Sequence, residues 1–319
     1  MPELTSTQRQ ILALCSLVSA GDRCDWGVLA RQAHQERSLD GLVAGDILET
    51  SANAHRTGWV IKTASAENWA AAWERADSEY RAATAAGARL TTVLDDDFPL
   101  NLRLIHNLPP FLFYRGDLDV DRDAHSVAVV GTRSATPDGI HQARRVVRWL
   151  TDRGLTVTSG LAIGIDATAH RETLACGGRT IAVLPSGITR IAPAANRDLG
   201  EDIVASGGLI VSQFFPTATP ARWTFGKRNE VASGISQGTV VIEASPTSGA
   251  RMQARLAYEH GKRVFLLDTL VAEQPWAQQM VQRRRAVAVS CIDEITSRIA
   301  SPERVRDVGD LLHVEPALL

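Results

Sequence analysis

The sequence predicts an α/β fold, and three observations carry that prediction. Seven short apolar runs, SVAVVG, LTVTSG, TIAVLPSG, GLIVSQF, GTVVIEA, KRVFLL and AVAVS, follow one another from Ser126 onward, most of them ending in glycine or a small polar residue. Between them lie amphipathic segments such as GIHQARRVVRWLTDRG, whose Ile140, Ala143, Val147 and Leu150 share one helical face. Residues 1 to about 85, by contrast, carry helix signals and lack strand punctuation. Apolar strands buried on both faces and separated by amphipathic helices imply a parallel sheet wound through right-handed crossovers. The expected architecture is an extended Rossmann-like parallel sheet with helices on both faces, preceded by a small helical N-terminal domain.

In the first segment, TSTQRQILALCSLVSA offers a Ser/Thr cap before apolar Ile11, Leu12, Cys15 and Leu17. AENWAAAWERADSEYRAATAAG reads as an Ala-rich amphipathic helix ending at Gly87. Its Trp69 and Trp73 stand at i and i+4, and core packing accounts for them better than base stacking. From about 88 to 120 a connector follows, in which LTTVL and FLFYRG read as short strands and Pro99 and Pro109-Pro110 fix the turns. No low-complexity linker separates it from the sheet, so the pieces are expected to pack together. The predicted division is a helical domain over 1–85, the Rossmann-like domain over 86–300 and a tail over 301–319.

A chain of 319 residues exceeds the usual single-domain size, and its 45% hydrophobic content supplies an ample core. Its 34 basic and 36 acidic residues leave a formal charge of −2, which excludes a global positive field toward nucleic acid or anionic membrane. Anion binding, where it exists, must be local. Cys15, Cys24, Cys176 and Cys291 show no CxxC pairing and no metal-like spacing, as expected of free thiols in a reducing compartment. MPELTSTQRQ has no apolar signal-peptide core, and no window reaches the ~18 apolar residues of a membrane span. A cytoplasmic protein without membrane attachment is the expectation.

In a parallel sheet of this kind, ligands sit where strand ends lead into helix N-termini. The first such loop, VVGTRSATPDG, joins Gly131, Thr132 and Arg133: the glycine lets backbone N–H groups approach an anion, and the guanidinium can grip phosphate with two hydrogen bonds. The second, TSGLAIGIDATAHRETL, offers Ser159, Gly160 and Gly164 as an anion nest before a helix starting near Ile165. Asp166 and His170 lie on one face of that helix. They could serve as acid and base, but an Asp–His bond bracing the loop requires less. The third, PSGITRIAPAANRDL, has Ser186-Gly187 at a strand end with Arg190 and Arg197 available to an extended anion. In the fourth, FGKRNEVASG, Lys227 and Arg228 are read as opening a helix, with Asn229 free to bond backbone or base. A fifth, EASPTSGARMQARLAYEHG, places Ser248-Gly249 at a helix start after Glu243.

No GxGxxG follows the first strand, and no P-loop, HExxH or G-x-S-x-G elbow is present, so neither cofactor nor metal is expected. The edge is a row of anion sites without an evident nucleophile. In order and spacing, VAVVGTRSATPDG, TSGLAIGIDATAHRETL, TIAVLPSGITRIAPAANRDL, FGKRNEVASGISQGTVVIEA and SGARMQARLAYEHGKRVF, with the preceding AAGARLTTVLDDDFPLNLRLIHNLPPFLFYRGDL, resemble the DprA/Smf family over roughly residues 70 to 267. That resemblance implies a non-catalytic homodimer that binds single-stranded DNA in a basic pocket and hands it to a RecA-like recombinase. It maps the arginine of the VGTR block to Arg133 and the basic-Asn element to Lys227, Arg228 and Asn229.

The chain also departs from that family. Ile163 replaces a usual Arg or Lys, Glu230 stands where a second arginine often follows the Asn, Ala192 replaces an aromatic, and SGARMQA differs from the common SGSLITA. DTLVAEQPWAQQMVQRRRAVAV replaces the Val-Pro-Gly turn, and DVGDLLHVEPALL is too short for a winged-helix module. Lost phosphate contacts lower affinity and flatten its salt dependence. Two other readings follow: a phage-defence component or antitoxin acting through a toxin or other protein partner, and a nucleotide-binding enzyme using Asp166, His170 and Glu243.

Overall fold

The computed structural model describes residues 3–290, 293–296 and 299. Cys291 and the tail over 301–319 lie outside the described residues. The first helix, Ser6–Ser16, begins where the sequence signals it. Thr5 accepts a hydrogen bond from the Gln8 amide while the Gln8 side chain returns to the Thr5 amide, which satisfies two otherwise unpaired donors. Its buried face carries Ile11, Leu12 and Cys15, and Leu17 is buried just beyond it. Further helices span Trp26–Glu36, Ala52–Thr63 and Ala66–Ala85. Trp69 and Trp73 stack with ring centroids 6.0 Å apart and pack against the core, as their spacing predicts.

One feature of this segment differs from the sequence reading. β1 (Val18–Ser19) and β2 (Asp22–Arg23) form a small antiparallel hairpin. Ala20 and Gly21 between them both take positive φ, at 50° and 87°, the requirement of a tight hairpin turn. Two-residue strands are too short to show a period of two, so nothing in the sequence announces them.

The remaining strands build a single nine-stranded sheet. They are β3 (Arg89–Thr92), β4 (Phe111–Gly116), β5 (Ser126–Val130), β6 (Thr156–Ser159), β7 (Thr180–Val183), β8 (Leu209–Ser212), β9 (Gly238–Val241), β10 (Arg263–Leu267) and β11 (Val287–Val289). Their order is β11-β10-β9-β5-β6-β7-β8-β4-β3. All seven strands read from the alternating region pair in parallel, while β4 joins β8 and β3 joins β4 antiparallel. Every residue of β5, β6, β7, β8 and β9 is buried, which explains why these strands read as continuous apolar runs rather than alternating ones.

One apolar cluster contains the inner faces of the N-terminal helices together with Phe111, Phe113, Ile181, Val183 and Val211 of the sheet. Trp26 meets Phe111 at 5.2 Å and Phe215 at 5.3 Å between centroids. The helix Pro137–Asp152 covers the sheet with Ala143, Val147 and Leu150 buried; Thr136 caps it and Pro137 occupies its first turn.

Candidate functional site

The strand order fixes where a site can form. From β5 the chain adds β6, β7 and β8 on one side, then returns to place β9, β10 and β11 on the other. At such a reversal adjacent loops diverge and leave a crevice at the carboxyl ends of the strands. A cavity of about 330 Å³ opens there. Gly131, Thr132 and Arg133 after β5 form one wall, Ala162 and Asp166 after β6 a second, and Ser248, Gly249 and Ala250 after β9 a third. The fourth wall is the helix Arg222–Ile235, which presents Phe225, Arg228 and Asn229. Positions i, i+3 and i+4 share a helical face, so this local sequence necessarily aims all three residues together.

Arg228 is the electrostatic centre of the site. Only 7% of the residue is exposed, its Nη1 lies 3.6 Å from Asp166 Oδ2, and its Nε has no hydrogen-bond partner among the described residues. Burial lowers the Arg228 guanidinium from its ordinary value, with Asp166 opposing the shift. Burial likewise pushes the Asp166 carboxyl up, against the attraction of Arg228. The guanidinium nonetheless remains a cation at any biological pH, with donors to spare. Gly160 makes room for it: a Cβ there would lie 0.9 Å from Arg228 Nη1.

Arg133 stands exposed at the rim, its guanidinium carbon 5.1 Å from the Phe225 ring centroid. Ser248 caps the helix Gly249–Glu259 by accepting from the Ala250 amide at 3.1 Å, and Asn229 Nδ2 donates to the Gly249 carbonyl at 3.4 Å. A buried cation, an exposed cation, an aromatic face and a helix start thus meet in one cavity. This combination can hold a phosphate beside a planar group.

The walls are locked to one another. The Thr132 amide donates to the Glu243 carbonyl at 2.7 Å, and Glu243 Oε2 accepts from the Thr136 amide and hydroxyl at 3.0 and 3.2 Å. The Ile165 amide donates to the Thr132 carbonyl at 3.2 Å. Gly164 turns the chain into its helix with φ of 86°, and a Cβ there would lie 2.4 Å from the Thr132 oxygen.

The residues expected from sequence divide accordingly. Gly131, Thr132, Arg133, Asp166, Arg228, Asn229, Ser248 and Gly249 line the cavity. Gly160 and Gly164 shape its walls from behind. Ser159 does not line the cavity; its buried hydroxyl donates to the Val129 carbonyl at 2.7 Å and ties β6 to β5. Ser186, Gly187, Arg190 and Arg197 are not part of the cavity lining. Lys227 faces away, 3.0 Å from Glu230, and both line a different cavity beside Trp223.

Two further expectations need correction. Lys227 and Arg228 do not open their helix, which starts at Arg222; Ala221 precedes it, and Thr224 returns its hydroxyl to the Ala221 amide at 3.1 Å. Asp166 and His170 do not bond. Asp166 holds the loop by accepting from the Ala162 amide at 3.4 Å and pairs with Arg228, whereas His170 Nδ1 contacts the Thr180 hydroxyl at 2.7 Å. Burial, aided by Arg228 and Arg171, lowers His170 to about 3, so the ring is neutral and braces its helix against β7. Sequence reasoning missed Phe225, although its spacing to Arg228 was a usable signal. Among the described residues, no group of three or more His, Cys, Asp or Glu side chains is placed to hold a metal, and no helix is long and apolar enough to cross a membrane.

The profile of the family described as DNA recombination-mediator protein A matches residues 89–300. Protein Smf of Synechocystis is 42% identical over 177 residues, 54% of this chain and 44% of that protein. The DNA processing protein DprA of Streptococcus pneumoniae is 36% identical over 176 residues, 55% of this chain and 61% of that protein. The aligned part of the chain therefore spans roughly half the length of these relatives. The solved structure of the Streptococcus pneumoniae protein superposes with a TM-score of 0.71 at 26% identity, covering 94% of this chain and 100% of that one. The DNA processing protein A of Helicobacter pylori, solved for its single-stranded DNA binding mode, matches in fold with a TM-score of 0.59 at 24% identity, covering 70% of this chain and 98% of that one.

Proposed function

The chain belongs to the DNA recombination-mediator protein A family, and from that premise we propose that it binds single-stranded DNA in the cavity between Arg133 and Arg228. The observation that carries the reading is the buried Arg228 guanidinium, open to the cavity, with donors that Asp166 alone does not satisfy. A backbone phosphate would receive Arg228 at the floor and Arg133 at the rim, and the Phe225 face would take an unstacked base. A single strand suits this geometry because its bases can splay onto an aromatic surface, whereas those of a duplex remain stacked.

In this reading the protein works by binding rather than by catalysis. Each candidate acid or base already has a structural duty: Asp166 toward Arg228, His170 toward Thr180, Glu243 toward Thr136. The same proposal includes a homodimer that delivers its strand to a RecA-like recombinase in the cytoplasm, and a division into the 1–85 helical domain, the 86–300 Rossmann-like domain and the 301–319 tail. A second reading, action on a toxin or defence partner, draws on Ile163, 52% exposed next to Ala162 of the cavity wall, and on Glu230, which takes up the charge of Lys227. Salt-titrated gel shifts with short single strands and duplexes, on wild type and Arg133→Ala, discriminate. A single-strand preference weakened by the substitution supports DNA binding; the absence of any such preference sinks it.

A further inference from the structure

The DNA-binding cavity does not end at its own walls. Thr247 and Ser248 also line a second, larger cavity of about 630 Å³, which lies between the helices Gly249–Glu259 and Pro275–Gln282. Tyr258 and Arg285, at its far end, also line a third cavity of about 230 Å³. The three therefore adjoin one another along the helix Gly249–Glu259. The distance from Ser248 to Tyr258 along that helix is about 15 Å.

Charge is concentrated along this path in a protein whose total is −2. Arg251, Arg255, Arg283 and Arg285 line the second cavity, where Glu259 is the sole acidic lining residue and is taken by Arg255 at 3.2 Å. Among the described residues, Arg251, Arg283 and Arg285 form no ion pair. Arg285 lies over the Tyr258 ring at 5.3 Å, and Tyr258 is 43% exposed. Arg251 lies 5.9 Å from the Trp276 centroid, with Nη1 donating to the Pro246 carbonyl at 2.9 Å. Unpaired guanidinium groups interleaved with aromatic faces are the chemistry of a track for a single-stranded polyanion. A second copy of the same surface would bring like charge against like in a two-fold contact.

We propose that a DNA strand held in the Arg133–Arg228 cavity continues over Ser248 into this second cavity, where Arg251, Arg283 and Arg285 take its phosphates and Tyr258 stacks a base. The inference rests on the DNA-binding reading above and extends the site by a few nucleotides. At one charge per about 3.4 Å of stacked strand, the path holds roughly four phosphates.

The test is fluorescence anisotropy on the full chain with oligo-dT of two lengths, one filling the first cavity and one several-fold longer, over a range of salt. Arg251→Ala/Arg283→Ala/Arg285→Ala is expected to bind the short oligomer like wild type but the long one about 30-fold or more weaker, with a salt slope reduced by about 2, at roughly 0.7 per phosphate. The corresponding triple lysine variant controls for folding and is expected to keep the slope. Tyr258→Phe is expected to retain long-oligomer affinity, and Tyr258→Ala to lose several-fold. Equal binding of the long oligomer by wild type and the triple alanine variant overturns the extended track while leaving the first cavity standing. No binding of either oligomer by wild type overturns both.

Discussion

The loop after β5 and the loop after β7 start from the same ingredients. Each follows a buried strand with a glycine and then an arginine, Gly131 and Arg133 in one, Gly187 and Arg190 in the other. Their surroundings then separate them. β5 borders β9, where the chain reverses its direction of growth, so its loop opens toward a crevice. β7 lies between β6 and β8, and its loop folds onto itself and its neighbour. The Ser186 hydroxyl donates to the Arg190 carbonyl at 2.5 Å, the Gly187 amide to the Ala218 carbonyl at 2.8 Å, and the Thr189 hydroxyl to the Pro216 carbonyl at 2.6 Å. Gly187 is needed because a Cβ there would lie 2.2 Å from the Pro216 oxygen. The second loop thus spends its glycine amide on Ala218, and neither Gly187 nor Arg190 joins the cavity that Gly131 and Arg133 line.

The largest effect that bears on this contrast is expected from Arg228→Ala. It should reduce single-strand affinity by more than about 100-fold, because a desolvated charge contact is lost. It should also destabilise the fold by roughly 3 kcal/mol, because Asp166 loses the partner of a buried pair; anisotropy and chemical denaturation read the two separately. Two glycine substitutions come next and should part company. Gly160→Ala displaces the end of the Arg228 side chain, and about tenfold in affinity with little loss of stability is expected. Gly187→Ala pushes against backbone, so roughly 3 kcal/mol of stability with unchanged affinity is expected. If both act on stability alone, the two loops are equivalent after all.

Acid provides the third probe. His170 falls from 6.5 in the unfolded chain to about 3 in the fold, and His260, partly buried against Ser233 and His106, falls to about 4. A depressed histidine means that the unfolded chain binds more protons between these values. The associated stability is therefore complete above about pH 6.5 and is lost as pH falls toward 3. His170 alone should remove about 2 kcal/mol by pH 5. Melting curves at pH 7.5 and 5 test this, and His170→Gln should show the smaller difference. The smallest effects concern the rim. Arg133→Ala should cost about fivefold in affinity and reduce the salt slope by about 0.7, while Arg190→Ala and Arg197→Ala should each stay within twofold in the same titration.

The strands were legible because their residues are buried on both faces, which turns them into uninterrupted apolar runs bounded by glycine. The helix after β5 was legible because Thr136-Pro137 is a cap that sequence can show. The start of the helix at Arg222 was not, since Ala221 offers no capping side chain and the start signal lies in the hydroxyl of Thr224, inside the first turn. That one displacement accounts for Lys227: placed at a helix start it faces the crevice, placed a turn further on it points to Glu230. The Asp166–Arg228 pair was out of reach for another reason. Two residues so far apart in the chain leave no local pattern, and the nearer His170 offered a helical spacing that the fold uses for something else.

Arg228 also has a consequence for the lifetime of the protein. Its dehydration is imposed when the chain folds, so an anion that took up its unused donors would offset part of that cost. A ligand that binds only the folded state raises its stability by about 2.7 kcal/mol at a hundredfold excess over its dissociation constant. Under the proposed function, resistance to proteolysis should therefore rise and fall with the supply of single strands, making degradation itself a gauge of whether the site is filled.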